Sequence, residues 1–191
     1  MNEGLWVLAA SAVGYGVGSL SPAAAVGRAR GVDLSTTGSG NPGATNAGRV
    51  LGWPFGVLVG LLDVVKGFLP ALAFGAVDPT LALWAGAAAV LGHVTSPILR
   101  GRGGRGVATS LGAVLAVQPV WALAALAGFG LTLAVTRWVA LASMVAGLVL
   151  IAAALVAAES TEQLVWAVFL ATVVEIRHVP NLTRWVRSRR A

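Results

Sequence analysis

Long apolar runs separated by short polar segments set the pattern of this chain. A helix needs about 20 apolar residues to cross about 30 Å of hydrocarbon. Gly4–Gly27, Pro79–Leu99 and Trp138–Ala158 reach that length without a formal charge. Leu51–Val77 reaches it if Asp63 and Lys66 are held internally, and Gln163–Val174 is shorter but extends through Glu175. Gly106–Thr136 is also uncharged. As one helix it would run about 46 Å, too long for a single crossing. Gln118-Pro119 is its natural break, because proline lacks an amide donor and disfavours helix at the residue before it. The break predicts a short helix near 107–118 and a fuller one near 120–136.

Composition changes the picture by naming the solvent. Charged residues make up 10% of the chain and hydrophobic ones 57%, where an ordinary soluble domain has about 25% charged. So little charge excludes a water-soluble enzyme of ordinary design, and so much apolar surface excludes disorder. The net charge of +6 would suggest nucleic acid in a soluble protein. Here it reads as membrane topology, and no nucleic-acid partner is expected. Cysteine is absent, which excludes disulfides, thiolate catalysis and Cys-ligated metals. Met1–Ala25 has no basic stretch ahead of its apolar run and so is not expected to be a secretory signal.

The arginines test the split at Pro119. With seven spans and the N-terminus outside, Arg28, Arg30 and Arg49 share one cytoplasmic loop. Arg100, Arg102 and Arg105 share the next, Arg137 lies in the third, and Arg177, Arg184, Arg187, Arg189 and Arg190 follow in the tail. The outer segments receive Glu3, Asp78, Glu159 and Glu162. If 107–118 did not cross, Arg137 and the basic tail would lie outside, against the positive-inside bias. The expected fold is therefore an all-α integral membrane protein. It is a bundle of seven transmembrane helices with one short span, an outer N-terminus and a cytoplasmic C-terminus, forming a single domain over residues 1–191.

Polar chemistry gathers on the side assigned to the cytoplasm. Thr36-Thr37-Gly38-Ser39-Gly40-Asn41-Pro42-Gly43-Ala44-Thr45-Asn46 combines glycines, hydroxyls and amides with Arg49 close behind. Glycines let successive backbone N–H groups turn inward, and such a nest binds phosphate oxygens. Thr45 or Asn46 could cap the following helix, whose N-terminus favours an anion. The spacing and lysine of a Walker A loop are missing, and a flexible turn is the simpler alternative. The second cluster, Arg100–Thr109, suits bidentate phosphate contacts or an anchor on anionic lipid. Asp63 and Lys66, one turn apart, are either a functional pair at membrane depth or a self-neutralising structural one. His178, in Arg177-His178-Val179-Pro180-Asn181, could titrate near neutrality or serve as a structural hydrogen bonder, as could His93. No residue set with metal-ligand spacing occurs, and no metal or cofactor is expected. Residue types and spacing thus reach a membrane bundle with a cytoplasmic-side anion site.

Gly18-Ser19, then GSGNPGATN at 38–46 with Arg49 following, resembles the bacterial acyl-phosphate:glycerol-3-phosphate acyltransferases, the PlsY family. So do Asp63 with Lys66-Gly67, Gly92-His93, GRGGRGVAT at 101–109, Leu141-Ala142-Ser143, and Arg177-His178 with Asn181 and Arg184. The likeness runs in order from about residue 14 to 185. It departs at Arg102 and Arg105, where the family usually has Lys, and at Ala23, where it usually has Gly. Arginine keeps the charge but not the compact ammonium geometry.

The resemblance implies transfer of a fatty acyl group from acyl phosphate to the 1-hydroxyl of glycerol 3-phosphate, giving lysophosphatidic acid and phosphate. This is the first step of phospholipid synthesis. It implies catalytic roles for Ser39, Arg49, Arg105, His178 and Asn181. It implies substrate binding by Gly38, Gly40, Asn41, Gly43, Thr45, Asn46 and Ser143. The acyl tail would lie in an apolar groove open to membrane lipid, and the base would be His178 or the departing phosphate. No obligatory protein partner is implied, and the location is the inner (plasma) membrane. The alternative is a non-catalytic lipid-phosphate binder or small transporter of the same fold.

Overall fold

Pro-containing junctions and one glycine mark breaks between the helices. The structure is a computed structural model that describes residues 2–188, with the backbone alone for 184–188. Arg189 and Arg190 of the basic tail lie outside the described residues. Among the described residues every regular element is helical. Six apolar segments are long enough to cross a membrane: Glu3–Ala29, Trp53–Gly75, Pro79–Leu99, Pro119–Thr136, Val139–Ala157 and Thr161–Thr183. The shorter apolar helix Val107–Val117 accompanies them. The break at Gln118-Pro119 falls where the sequence places it, with Gln118 in a non-helical conformation at φ −139° and ψ 81°.

The first segment is two helices, not the unbroken one expected over Gly4–Gly27. Helix α1 (Glu3–Ser19) stops at Leu20, whose backbone is extended. Helix α2 (Pro22–Ala29) restarts on Ser21, whose hydroxyl accepts from the Ala24 N–H at 3.2 Å. Ser-Pro is an N-cap followed by a residue preset for the first helical position, so the restart was encoded but hidden in an apolar run. Helix α3 (Ala44–Leu51) is likewise separate from α4 (Trp53–Gly75). Gly52 lies between them at φ 100°, a conformation that favours glycine. The capping expectation is corrected: Gly43 is the N-cap of α3, and neither Thr45 nor Asn46 caps it.

The remaining helices are α5 (Pro79–Thr95), α6 (Val107–Val117), α7 (Pro119–Thr136), α8 (Val139–Ala157) and α9 (Thr161–Ser188). Asp78 caps α5 by accepting from the Thr80 N–H at 2.7 Å. Helix α9 continues through Pro180, where the sequence suggested a span followed by a tail.

The chain divides after Val117 into two compact units. In the first, α5 is the central helix, burying Leu81, Ala85, Ala89, Val90 and His93. Helices in lipid gain little from hydrophobicity and associate where small residues let backbones approach. A Cβ on Gly18 of α1 would overlap the Ala89 carbonyl oxygen, and one on Gly92 of α5 would overlap that of Tyr15. The α4–α6 seam repeats the device, with Gly67 against the Thr109 carbonyl and Gly112 against that of Val64. In the second unit α8 packs against both α7 and α9. Leu150, Ala154, Leu170 and Ala171 are buried there, while Leu131, Val135, Leu155 and Val156 point outward.

Candidate active site

The glycine-rich loop is built around Asn46. Its side chain is 1% exposed and meets the loop at three places. Asn46 Nδ2 donates to the carbonyls of Leu34 at 3.0 Å and Thr37 at 2.9 Å, and Oδ1 accepts from the Ser39 N–H at 2.8 Å. Leu34, packed in a core with Ala23, Ala47 and Val59, anchors the near end of the loop. Ser35 donates to Asp33 Oδ1 through its hydroxyl at 2.7 Å and its backbone N–H at 2.9 Å. These two bonds hold the Asp33 carboxyl below the usual carboxylate range. Gly38 and Gly40 take φ values of 66° and 68°, which lets the chain fold over the Asn46 amide.

The loop leaves its polar groups outward. Ser39, Thr45 and Arg49 are exposed, Asn41 and Gly40 are half-buried, and Pro42 and Gly43 are buried. No side chain caps α3, so its first N–H groups end the loop as donors for an anion. Asn46, read from the sequence as a group facing substrate, has its amide engaged with the loop backbone.

The basic loop leaves α5 through a single 3-10 turn, Pro97–Leu99. Arg100 and Gly101 follow at φ 53° and 78°. The Gly101 N–H donates to the Ser96 carbonyl at 2.9 Å and the Gly104 N–H to the His93 carbonyl at 3.2 Å. Arg100 and Arg102 are exposed, whereas Arg105 is half-buried. The two loops, about sixty residues apart in the chain, meet at one small cleft. Pro42 of the first and Leu99 and Gly104 of the second line it, together with Ser19, Leu20, Lys66 and His93.

Lys66 and His93 belong to a buried charged cluster. Lys66 Nζ is 3.0 Å from Asp63 Oδ1 on the same helix and donates to the Leu20 carbonyl at 2.7 Å. His93 Nδ1 is 3.6 Å from the same Asp63 oxygen. The i,i+3 spacing of Asp63 and Lys66 is legible in sequence. His93, on another helix, has no spacing relation to them.

The second unit carries the other predicted residues. Ser143 is buried on α8, its hydroxyl donating to the Val139 carbonyl at 2.9 Å. His178 is buried on α9, with Nδ1 2.7 Å from the Val174 carbonyl. A carbonyl only accepts, so Nδ1 carries a proton, and in the neutral ring Nε2 is the basic nitrogen. Asn181 is half-buried one turn further on. Ser39, Arg49, Arg105 and the glycine-rich loop thus belong to the first unit, and Ser143, His178 and Asn181 to the second.

A helical membrane protein whose polar loops suit phosphate is the class these features define. The glycerol-3-phosphate acyltransferase family model matches residues 8–188. The glycerol-3-phosphate acyltransferase of Trichlorobacter lovleyi is 39% identical over 97% of this chain and 95% of its own length. That of Geobacter sulfurreducens is 42% identical over 91% of each. The crystal structure of PlsY, an integral membrane glycerol 3-phosphate acyltransferase, in its glycerol 3-phosphate form superposes with a TM-score of 0.91. It is 36% identical and covers 96% of this chain and 93% of that one. The lysophosphatidic acid form of PlsY gives 0.89 at 35% identity over the same shares. The chain belongs to the glycerol-3-phosphate acyltransferase family and is an integral membrane enzyme.

Proposed function

We propose that this enzyme transfers a fatty acyl group from acyl phosphate to the 1-hydroxyl of glycerol 3-phosphate. The products are lysophosphatidic acid and inorganic phosphate. The observation that carries the donor assignment is the Asn46-braced loop: Ser39, Thr45 and the uncapped start of α3 offer neutral donors at one turn. That donor set suits the oxygens of a terminal phosphate group, such as the one acyl phosphate presents. The chemistry needs no covalent acyl-enzyme. The hydroxyl oxygen bonds to the acyl carbon, the bond from that carbon to the phosphate oxygen breaks, and phosphate leaves with the electron pair.

Because acyl phosphate is already activated, positioning and charge stabilisation supply the rate. Arg49, Arg105, His178 and Asn181 hold the two phosphates and orient the hydroxyl, with Ser143 on the glycerol phosphate side. The hydroxyl proton goes to His178 or to the departing phosphate, and the Nδ1–Val174 bond supports His178 as a competent acceptor. The acyl tail lies against apolar helix faces open to lipid. The whole chain acts as one acyltransferase domain in the inner (plasma) membrane, with its polar loops on the cytoplasmic side. The arginine distribution supports that orientation. The test is whether purified protein in detergent forms phosphate and lysophosphatidic acid in equal amounts, and only when both substrates are supplied. Phosphate release that does not depend on glycerol 3-phosphate would contradict acyl transfer.

A further inference from the structure

The stretch around Arg105 has glycine at 101, 103, 104 and 106. Glycine is the most conformationally free residue, so the loop does not fix the Arg105 Cα by its own stiffness. An arginine side chain also carries considerable rotamer entropy. A guanidinium that must meet a phosphate in one orientation therefore needs its backbone held from outside the loop.

The structure shows what lies against it. The Gly104 N–H donates to the His93 carbonyl at 3.2 Å. A Cβ on Gly103 would overlap that same carbonyl oxygen, and a Cβ on Gly104 would overlap Nε2 of the His93 ring. The two glycines are thus seated on His93 through both its backbone and its imidazole. His93 is 7% exposed, and its Nδ1 lies 3.6 Å from the Asp63 carboxylate, within ion-pair range but beyond a hydrogen bond. Asp63 is neutralised by Lys66, which reaches on to the Leu20 carbonyl. That carbonyl belongs to Leu20, the extended residue that ends α1, where the chain has no intrahelical partner to offer it. One line of contacts therefore runs from the α1–α2 break through Lys66, Asp63 and His93 to the residue before Arg105.

We propose that His93, held by the buried Asp63–Lys66 pair, is a positioning residue for Arg105. It acts by seating Gly103 and Gly104 and touches no substrate itself. The proposal rests on the acyl-transfer reading, in which Arg105 holds a phosphate. It gives a task to a polar ring at this buried position, where the Asp63 carboxylate is its charged neighbour. It also assigns Asp63 and Lys66 a task beyond neutralising one another.

A double-mutant cycle tests it, because residues acting through one another are non-additive while independent ones add. Phosphate release and thermal unfolding in detergent are measured for wild type, His93→Ala, Gly104→Ala, Arg105→Ala and the doubles with Arg105→Ala. Misplacing the guanidinium should lower the rate about 10- to 100-fold for His93→Ala in the wild-type background. In the Arg105→Ala background the same change should cost about twofold or less, since its target is gone. Gly104→Ala keeps every side chain of the charged cluster but forces the new Cβ and the His93 ring apart, so it disturbs the same seat from the loop side and should show the same dependence on Arg105. It also keeps the test decisive if His93→Ala does not fold. Equal fold losses in both backgrounds, for a folded variant, would overturn the positioning role while leaving the acyltransferase reading in place. A wild type that turns over no acyl phosphate would overturn the functional reading and this proposal with it.

Discussion

The side chain of Asn46 holds the backbone of Ser39: the Ser39 N–H donates to Asn46 Oδ1 at 2.8 Å while the Asn46 amide secures the carbonyls of Leu34 and Thr37. The conformation of the loop thus depends on a residue in the following helix as well as on the positive φ of Gly38 and Gly40. Asn46→Ala removes all three bonds at a buried position. Each buried polar group left unpaired costs about 1–3 kcal/mol. The variant should unfold at lower temperature in detergent and lose most of its turnover. Asn46→Asp should not rescue it, because a carboxylate would face the two carbonyl oxygens with no donor. Wild-type stability in either variant would show that the loop is held by other means.

Ser39 makes the contrasting case. Its hydroxyl is exposed, and the bond that fixes it in the fold comes from its backbone. Ser39→Ala should therefore leave the unfolding temperature unchanged while cutting the rate. Wild-type turnover would return this loop to a simple turn.

Arg105 and Arg102 lie in one loop but in different surroundings, the first half-buried and the second exposed. Arg105→Ala should raise the barrier by about 2–4 kcal/mol, the scale of a charged hydrogen bond to a developing or bound anion. Arg105→Lys should keep substantial activity, because the charge remains. Arg102→Ala should cost much less. Equal small losses for both alanine variants, once insertion is verified, would remove Arg105 from the site.

The spans were legible because membrane crossing imposes a length on apolar runs, and Pro119 splits the one run that was too long. The breaks at Leu20 and Gly52 were harder. Ser21-Pro22 is a restart signal lying inside an uncharged run, and a lone glycine does not reveal its φ. The loop at 36–46 stands out in the sequence by its glycines and hydroxyls. The structural duty of Asn46 could not, since an exposed amide and a buried one look alike in sequence. The tie between His93 and Asp63 was invisible for a different reason: it joins two helices, and spacing along one helix says nothing about its neighbour.

Orientation can be checked cleanly because the chain has no cysteine of its own. A cysteine placed at Ser160, between α8 and α9, should react with an impermeant thiol reagent added outside spheroplasts. A cysteine placed at Gly101 should react only after the membrane is opened. The reverse pattern would contradict the positive-inside assignment and place the polar loops on the outer face.

Donor identity tests the central claim most directly. Purified enzyme is supplied with glycerol 3-phosphate and, side by side, with acyl phosphate or acyl-CoA of the same chain length, and lysophosphatidic acid is measured over time. Acyl phosphate should support turnover with one phosphate released per product, and acyl-CoA should support none. Comparable turnover with acyl-CoA, or none with acyl phosphate, would contradict the account.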